Sequence, residues 1–224
     1  MVRRLVDLGA KVVAVGQTQT KLDSLKEEVG ERVETICVDL GDWKETRSKL
    51  GDICRKVDLL VNNAAYSSNS PVDEVTEEEL SRIIDVNLKA PLNLIGLVAK
   101  GMKERRYGSI VNVSSVAAIA ALDEHVSYAA SKAALDMITR VSAKELGPFD
   151  IRVNSVNPTV VWTRMGSEFW GKDEKRKSLM ISKIPMGRFV EVKEAVDPII
   201  YLLSGNSSMI SGVVLPVDGG FIAT

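Results

Sequence analysis

The 224-residue sequence predicts a doubly wound α/β domain, a parallel sheet with helices on both faces. Three observations predict it. Short runs that are apolar on both faces ("VVAV", "LLV", "IVNV", "VVLPV") recur along the chain, as in strands covered on two sides. Segments with helical periodicity alternate with these runs. The stretches just after the runs ("GQT", "DLGD", "NNAA", "SS", "NPTVV") are polar, small or glycine-containing, which suits the ligand end of such a sheet.

The elements follow in order. The opening "MVRRLVDLGA" reads as the second half of an amphipathic helix, stopped at Gly9 and running into a strand at residues 11–15. Further strands are expected at residues 33–38, 58–62, 109–113, 152–156 and 213–217. Helices are expected at residues 18–29, 43–54, 76–105 (broken near Pro91), 125–146, 172–183 and 194–203. "TEEEL" puts Thr76 at an N-cap with Glu79 three residues on, a capping box. Gly147-Pro148 is a helix stop. There is no repeat and no linker, so one domain is expected over residues 1–224.

Composition narrows the function. The chain is 45% hydrophobic and 26% charged with net charge −1, ordinary for a soluble globular protein. No Lys/Arg stripe alternates with aromatics, so no nucleic-acid partner is expected. Apolar runs are strand-sized and charges interrupt every helical stretch, so no membrane-spanning segment is expected either. Cys37 and Cys54 have neither metal-ligand nor disulfide-framework spacing. No metal is expected, and the thiols suit a reducing, cytoplasmic compartment.

Four features combine into a chemical constellation. Tyr128-Ala-Ala-Ser-Lys132 places a phenol and an ammonium four residues apart on one helix face. Ser115 lies thirteen residues earlier, at the end of the strand "IVNV". "NNAA" (residues 62–65) follows another strand, and Asn87 sits in the helical stretch "DVNL". Tyr128 and Lys132 alone are as compatible with a solvated helix face as with a site; the ordered set is far more specific.

That set resembles the short-chain dehydrogenase/reductase family, and within it the dicarbonyl/L-xylulose reductases, over the whole chain. The stretches carrying the resemblance are "VVAV", "CVDLGDW", "VDLLVNNAA", "ELGP", "IRVNSVNPTVV", "IPMGRF" and "LPVDGGF". It implies a Rossmann-like fold and a catalytic tetrad of Asn87, Ser115, Tyr128 and Lys132. In that chemistry Tyr128 trades a proton with the substrate oxygen, and the Lys132 cation is expected to lower the phenol pKa from its usual value of about 10. Ser115 would donate to the same oxygen, and Asn87 would anchor a water relaying protons to Lys132. Ser115 as a cap after its strand, and Asn87 as a bridge to backbone in a kinked helix, are the structural alternatives.

The resemblance also implies a nicotinamide cofactor. Asp39 and Leu40 would flank adenine; Asn62, Ala64 and Ala65 would line the adenosine-ribose path. Lys132 with Tyr128 would hold the nicotinamide ribose. Pro158, Val161 and Thr163 would pack over the nicotinamide. Gly16-Gln17-Thr18 closes the first strand without the acid that would bond a ribose 2′-hydroxyl, which favours NADP(H) and leaves NAD(H) possible. Gln17 stands where the resembled reductases usually have arginine. His125 and Trp170 are expected in the substrate pocket, with a helix-start role and lid packing as their alternatives. Trp170 falls in "GSEFWGKDEKRK", read as a mobile lid. Val116 replaces a residue that is usually polar, which suits a less polar carbonyl than a sugar.

The family begins with a strand, a glycine-rich turn and a helix, and this chain is expected to start after that turn. The strand so lacking is central, which would leave its two neighbours, at residues 11–15 and 58–62, without backbone partners. The function expected is NADP(H)-dependent reduction of a small ketone, sugar or dicarbonyl. The alternatives are an NAD-dependent alcohol or steroid dehydrogenase and a non-catalytic form acting through oligomer contacts. A tetramer is implied by the resemblance, and Ala129, Ala130, Ala133 and Ala134 would permit close helix packing, or face their own sheet.

Overall fold

The computed structural model describes residues 1–163, 166, 167 and 170–223. Helix α1 (Val2–Asp7) stops as the sequence requires. Gly9 takes a φ of 92°, and the amides of Gly9 and Ala10 return to the carbonyls of Val6 and Leu5. This is the paired C-terminal closure that a left-handed glycine permits. The chain then alternates through β1 (Val12–Gly16), α2 (Gln19–Val29), β2 (Val33–Cys37), α3 (Trp43–Cys54) and β3 (Leu59–Asn62). Helices α4 (Glu77–Ile84) and α5 (Ala90–Arg105) lead to β4 (Gly108–Val113), α6 (Val126–Leu146) and β5 (Ile151–Pro158). The described elements close with α7 (Glu174–Ser182), α8 (Val192–Leu203) and β6 (Val214–Val217).

All strand pairings are parallel, but the sheet is not continuous. β1 pairs with β2, and β3 to β6 form a second sheet in the order β3-β4-β5-β6. The division falls at one place: β1 and β3 share no ladder. Those are the two strands expected to lack a central neighbour. Their burial agrees. β1 and β3 are mostly half-buried, and Leu59 is exposed, whereas β4 and β5 are buried almost throughout.

Helices on both faces hold the two sheets together. On one face Leu50 and Cys54 of α3, with Leu94, Val98 and Met102 of α5, pack against Val15 and Ile36 of one sheet and Ile110 and Val153 of the other. On the other face α1 straddles the division: Met1 and Leu5 pack with Val61, Val111 and Ile199, while Val2 and Val6 pack with Ala14 and Val33. Apolar burial thus joins what hydrogen bonds do not, at roughly 25 cal/mol per Å² of apolar surface.

Two local devices differ from their sequence reading. The break in the long helix is a π-helical turn, Asp85–Lys89, and Pro91 sits in the first turn of α5 just beyond it, where its missing N–H is harmless. At Thr76 only half a capping box forms. Thr76 Oγ1 accepts the Glu79 amide, but the Glu79 carboxylate instead takes the Ser70 hydroxyl at 2.6 Å. That bond pins the loop after β3 against α4. At the opposite end of the sheet, Arg152 closes α8 by donating to the carbonyls of Leu202 (2.6 Å) and Ser204 (3.0 Å) and to Ser207 Oγ (2.7 Å).

Candidate active site

A cleft of about 720 Å³ opens beyond the carboxyl ends of β3, β4 and β5. Ligands bind at this end of a parallel α/β sheet. Ala64 and Ala65 contribute from the loop after β3, Ser115 from the turn after β4, and Pro158, Val161 and Thr163 from the end of β5 and beyond. His125, Tyr128 and Lys132 contribute from the start and first turns of α6, and Trp170 lines the same cleft. Ten of the expected site residues, which the sequence spreads over more than a hundred positions, therefore share one cleft.

The chemistry-bearing trio sits on one wall. Residues four apart on α6 face the same way, so Lys132 lies beside Tyr128, its Nζ 5.5 Å from the centre of the phenol ring. Lys132 Nζ donates to the carbonyl of Val113, the last residue of β4, at 2.8 Å. The Ser115 and Tyr128 side chains are hydrogen-bonded. Ser115 Oγ also accepts the Ala117 amide at 3.1 Å, so its capping alternative holds alongside its place in the cleft.

Burial acts on both titratable groups. It pushes the Tyr128 phenol above its ordinary range, against a downward pull from the Ser115 hydrogen bond. It lowers the Lys132 ammonium to about 8, with the Asp136 charge pulling upward. The sequence leads one to expect a phenol lowered by Lys132; instead removal from water raises it, and the phenol stays protonated at neutral pH. A protonated phenol is the form that donates in reduction.

Asn87 stands behind this wall rather than in the cleft. It is fully buried at the π-helical turn, and its side chain pairs with both backbone groups of Tyr66, accepting from N–H and donating to C=O at 2.8 Å each. It also donates to Ser131 Oγ at 3.1 Å. The backbone-bridging alternative thus describes its protein contacts, which fix the loop after β3 against α6. His125 lines the cleft and also immediately precedes α6. Its Nδ1 lies 2.6 Å from the Asp123 carbonyl, a donating position, which leaves Nε2 to accept from Asn69 Nδ2 at 2.9 Å. Trp170 packs at a tilt on Phe189, with the Arg176 guanidinium 5.5 Å over its ring. Residues 168 and 169 of the expected lid lie outside the described residues.

The expected adenosine end lies at the tips of β1 and β2. Gly16 ends β1, Gln17 and Thr18 lead into α2, and Asp39 and Leu40 follow β2. Arg82 of α4 crosses to this end. It grips Asp39 with Nη1 at 2.9 Å and Nη2 at 3.2 Å, and Nη2 also reaches Gln17 Oε1 at 3.3 Å. The guanidinium holds the Asp39 carboxyl below its usual range. Asn62, at the end of β3, donates to Asn112 Oδ1 at 2.8 Å. Its own Oδ1, and Thr159 Oγ1 in the cleft wall, are buried without a hydrogen-bond partner among the described residues. An orphaned polar atom in the cleft wall, and another at the strand end beside it, suit a ligand rich in hydroxyl and amide groups.

Two contributors escaped the sequence reading. Asn69 carries no motif, although the polar run "YSSNS" after "NNAA" marks its loop as more than a turn. Arg82 reaches Gln17 only through the packing of α4, and no spacing links the two.

The family model for enoyl-(acyl carrier protein) reductase matches residues 1–222. The chain belongs to the short-chain dehydrogenase/reductase family. It is 50% identical over 225 residues to L-xylulose reductase of Bos taurus, covering 100% of this chain and 91% of that protein. It is 44% identical to D-erythrulose reductase of Gallus gallus, covering 98% and 89%. Among solved structures, a short-chain dehydrogenase/reductase family protein superposes with a TM-score of 0.92 at 30% identity, covering 99% and 91%. A gluconate 5-dehydrogenase from Burkholderia cenocepacia, in complex with NADP and tartrate, gives 0.91 at 26%, covering 99% and 89%. The chain is thus an oxidoreductase of this family with a nicotinamide-binding fold. Among the described residues no helix is long and apolar enough to cross a membrane.

Proposed function

We propose that this chain is an NADP(H)-dependent reductase of small ketones, ketoses or α-dicarbonyls, with Tyr128 as the proton donor. The observation that carries this reading is the shared wall on which Ser115, Tyr128 and Lys132 meet the cleft. When bound, the reduced nicotinamide would supply the hydride. Ser115 donates a hydrogen bond to the substrate carbonyl oxygen, aiming it at the phenol. Tyr128 delivers its proton to that oxygen as negative charge develops there. Lys132 offsets the charge left on the phenolate, and its remaining N–H groups suit ribose hydroxyls.

The residues suited to the cofactor divide into two ends. Gly16, Gln17, Thr18, Asp39 and Leu40 would hold the adenosine, and Asn62, Ala64 and Ala65 would line the path from it. Pro158, Val161 and Thr163 would hold the nicotinamide with Tyr128 and Lys132. Arg82 supports the NADP(H) preference, because it brings to Gln17 the cation that Gln17 itself lacks. His125 and Trp170 would shape the substrate end. The α6 side chains Ala130, Ala133, Met137 and Val141 form an exposed apolar stripe that supports a homo-oligomer, a tetramer by family likeness. A reducing, cytoplasmic setting fits the free thiols.

The testing experiment mixes the purified chain with NADPH or NADH and either L-xylulose or diacetyl, and follows loss of cofactor absorbance. Turnover with NADPH at several times the NADH rate is the expected result. No turnover with either cofactor and either ketone contradicts the reading.

A further inference from the structure

Asp136 is a buried charge outside the chemistry described so far. It is 7% exposed on α6, one helical turn beyond Lys132 and on the face turned to β5. A carboxylate so removed from water is expensive unless its oxygens are hydrogen-bonded. Here Oδ1 accepts from Ser155 Oγ at 2.7 Å and Oδ2 accepts from Asn157 Nδ2 at 2.8 Å. Ser155 and Asn157 are themselves fully buried.

The second proton of Asn157 Nδ2 goes to the carbonyl oxygen of Ser115, at 3.0 Å. The chemistry of the two groups fixes this arrangement. A carboxylate only accepts, so it compels Asn157 to turn its amide nitrogen inward. With the nitrogen inward, one proton serves Asp136 and the other reaches across to the turn that carries Ser115. Were the amide reversed, an oxygen would confront both the carboxylate and the Ser115 carbonyl. Asn157 also immediately precedes Pro158, where the cofactor side of the cleft begins.

We infer that Asp136 is a positioning residue for the reductase: through Asn157 it fixes the backbone of Ser115, and with it the hydroxyl that orients the substrate carbonyl. This rests on the reductase reading above. Asp136 also sits close enough to Lys132 for its charge to favour the ammonium, so one carboxylate serves both members of the site that flank Tyr128.

The test compares wild type, Asp136→Asn, Asn157→Ala and the double variant, measuring kcat and KM for NADPH with diacetyl, together with melting temperature. Asp136→Asn puts an amide where only an acceptor fits, with almost no change in volume. The expected result is a kcat loss of at least about tenfold in each single variant, with KM for NADPH within about twofold of wild type. The double variant is expected to be no slower than the slower single one, because both act along one chain of contacts. Asn157→Ala keeps the test valid should Asp136→Asn fold poorly. A kcat within twofold of wild type in both single variants overturns the inference. So does a fall in kcat that multiplies in the double variant or tracks the melting temperature. A wild-type chain that turns over neither ketone overturns the reductase reading itself, and the inference falls with it.

Discussion

Lys132 holds its ammonium 2.8 Å from the carbonyl oxygen of Val113 and 5.5 Å from the centre of the Tyr128 ring. The first distance ties α6 to the end of β4; the second puts a cation beside a phenol. A single side chain thus joins the fold to the chemistry. It sits almost wholly out of water, 2% exposed, which is why its ammonium is lowered to about 8.

That lowering sets a pH dependence. The folded-state pKa of about 8 lies below the ordinary 10.5, so the unfolded chain binds more protons between those values. Stability from this group is therefore lowest below pH 8 and rises toward pH 10.5, by on the order of 3 kcal/mol. Chemical denaturation of wild type against Lys132→Met across that range is expected to show the rise in wild type alone. Parallel curves would contradict it. Activity moves the other way: as pH climbs through 8 the ammonium is lost, and ketone reduction is expected to fall.

Cofactor choice is expected to follow the cations near Gln17. Gln17→Arg adds a guanidinium and is expected to raise the preference for NADPH over NADH at least about tenfold. Arg82→Gln removes the one already in contact and bares Asp39, and is expected to lower the preference by a similar factor. Fluorescence titration with both cofactors checks each variant. Equal changes for NADPH and NADH would place the 2′-phosphate elsewhere.

Stability is expected to respond strongly at Arg152. Replacing it with methionine keeps much of the apolar stem but removes the charged donor that the carbonyls of Leu202 and Ser204 and the Ser207 hydroxyl share at the end of α8. Hydrogen bonds to a charged group contribute roughly 1.5–3 kcal/mol. A loss of about 2–4 kcal/mol is expected by denaturant titration, with the cleft unaffected because Arg152 lies at the far end of β5.

The sequence made the elements legible because their signals are local. Gly9 needs a left-handed backbone, "VVAV" and "IVNV" need cover on both faces, and Tyr128 and Lys132 are one helical turn apart. The cleft was legible because ligand-binding residues follow strand ends. What escaped depends on packing across elements. The Glu79 carboxylate leaves its own helix end for Ser70, Arg82 crosses to Asp39 and Gln17, and Asp136 is satisfied from β5. The direction of the Tyr128 shift escaped for a related reason: a neighbouring charge can be read from spacing, but removal from water cannot. The break between the two sheets was foreseen only through family likeness, since no property of β1 or β3 alone announces it.

The central claim is that Tyr128 gives up the proton. Its most direct test is Tyr128→Phe, assayed for NADPH-dependent reduction of diacetyl and for NADPH binding by fluorescence. The phenylalanine keeps the ring and removes the oxygen. Turnover is expected to fall by about 100-fold or more, with NADPH affinity within about twofold of wild type. Wild-type turnover in the variant would contradict the account.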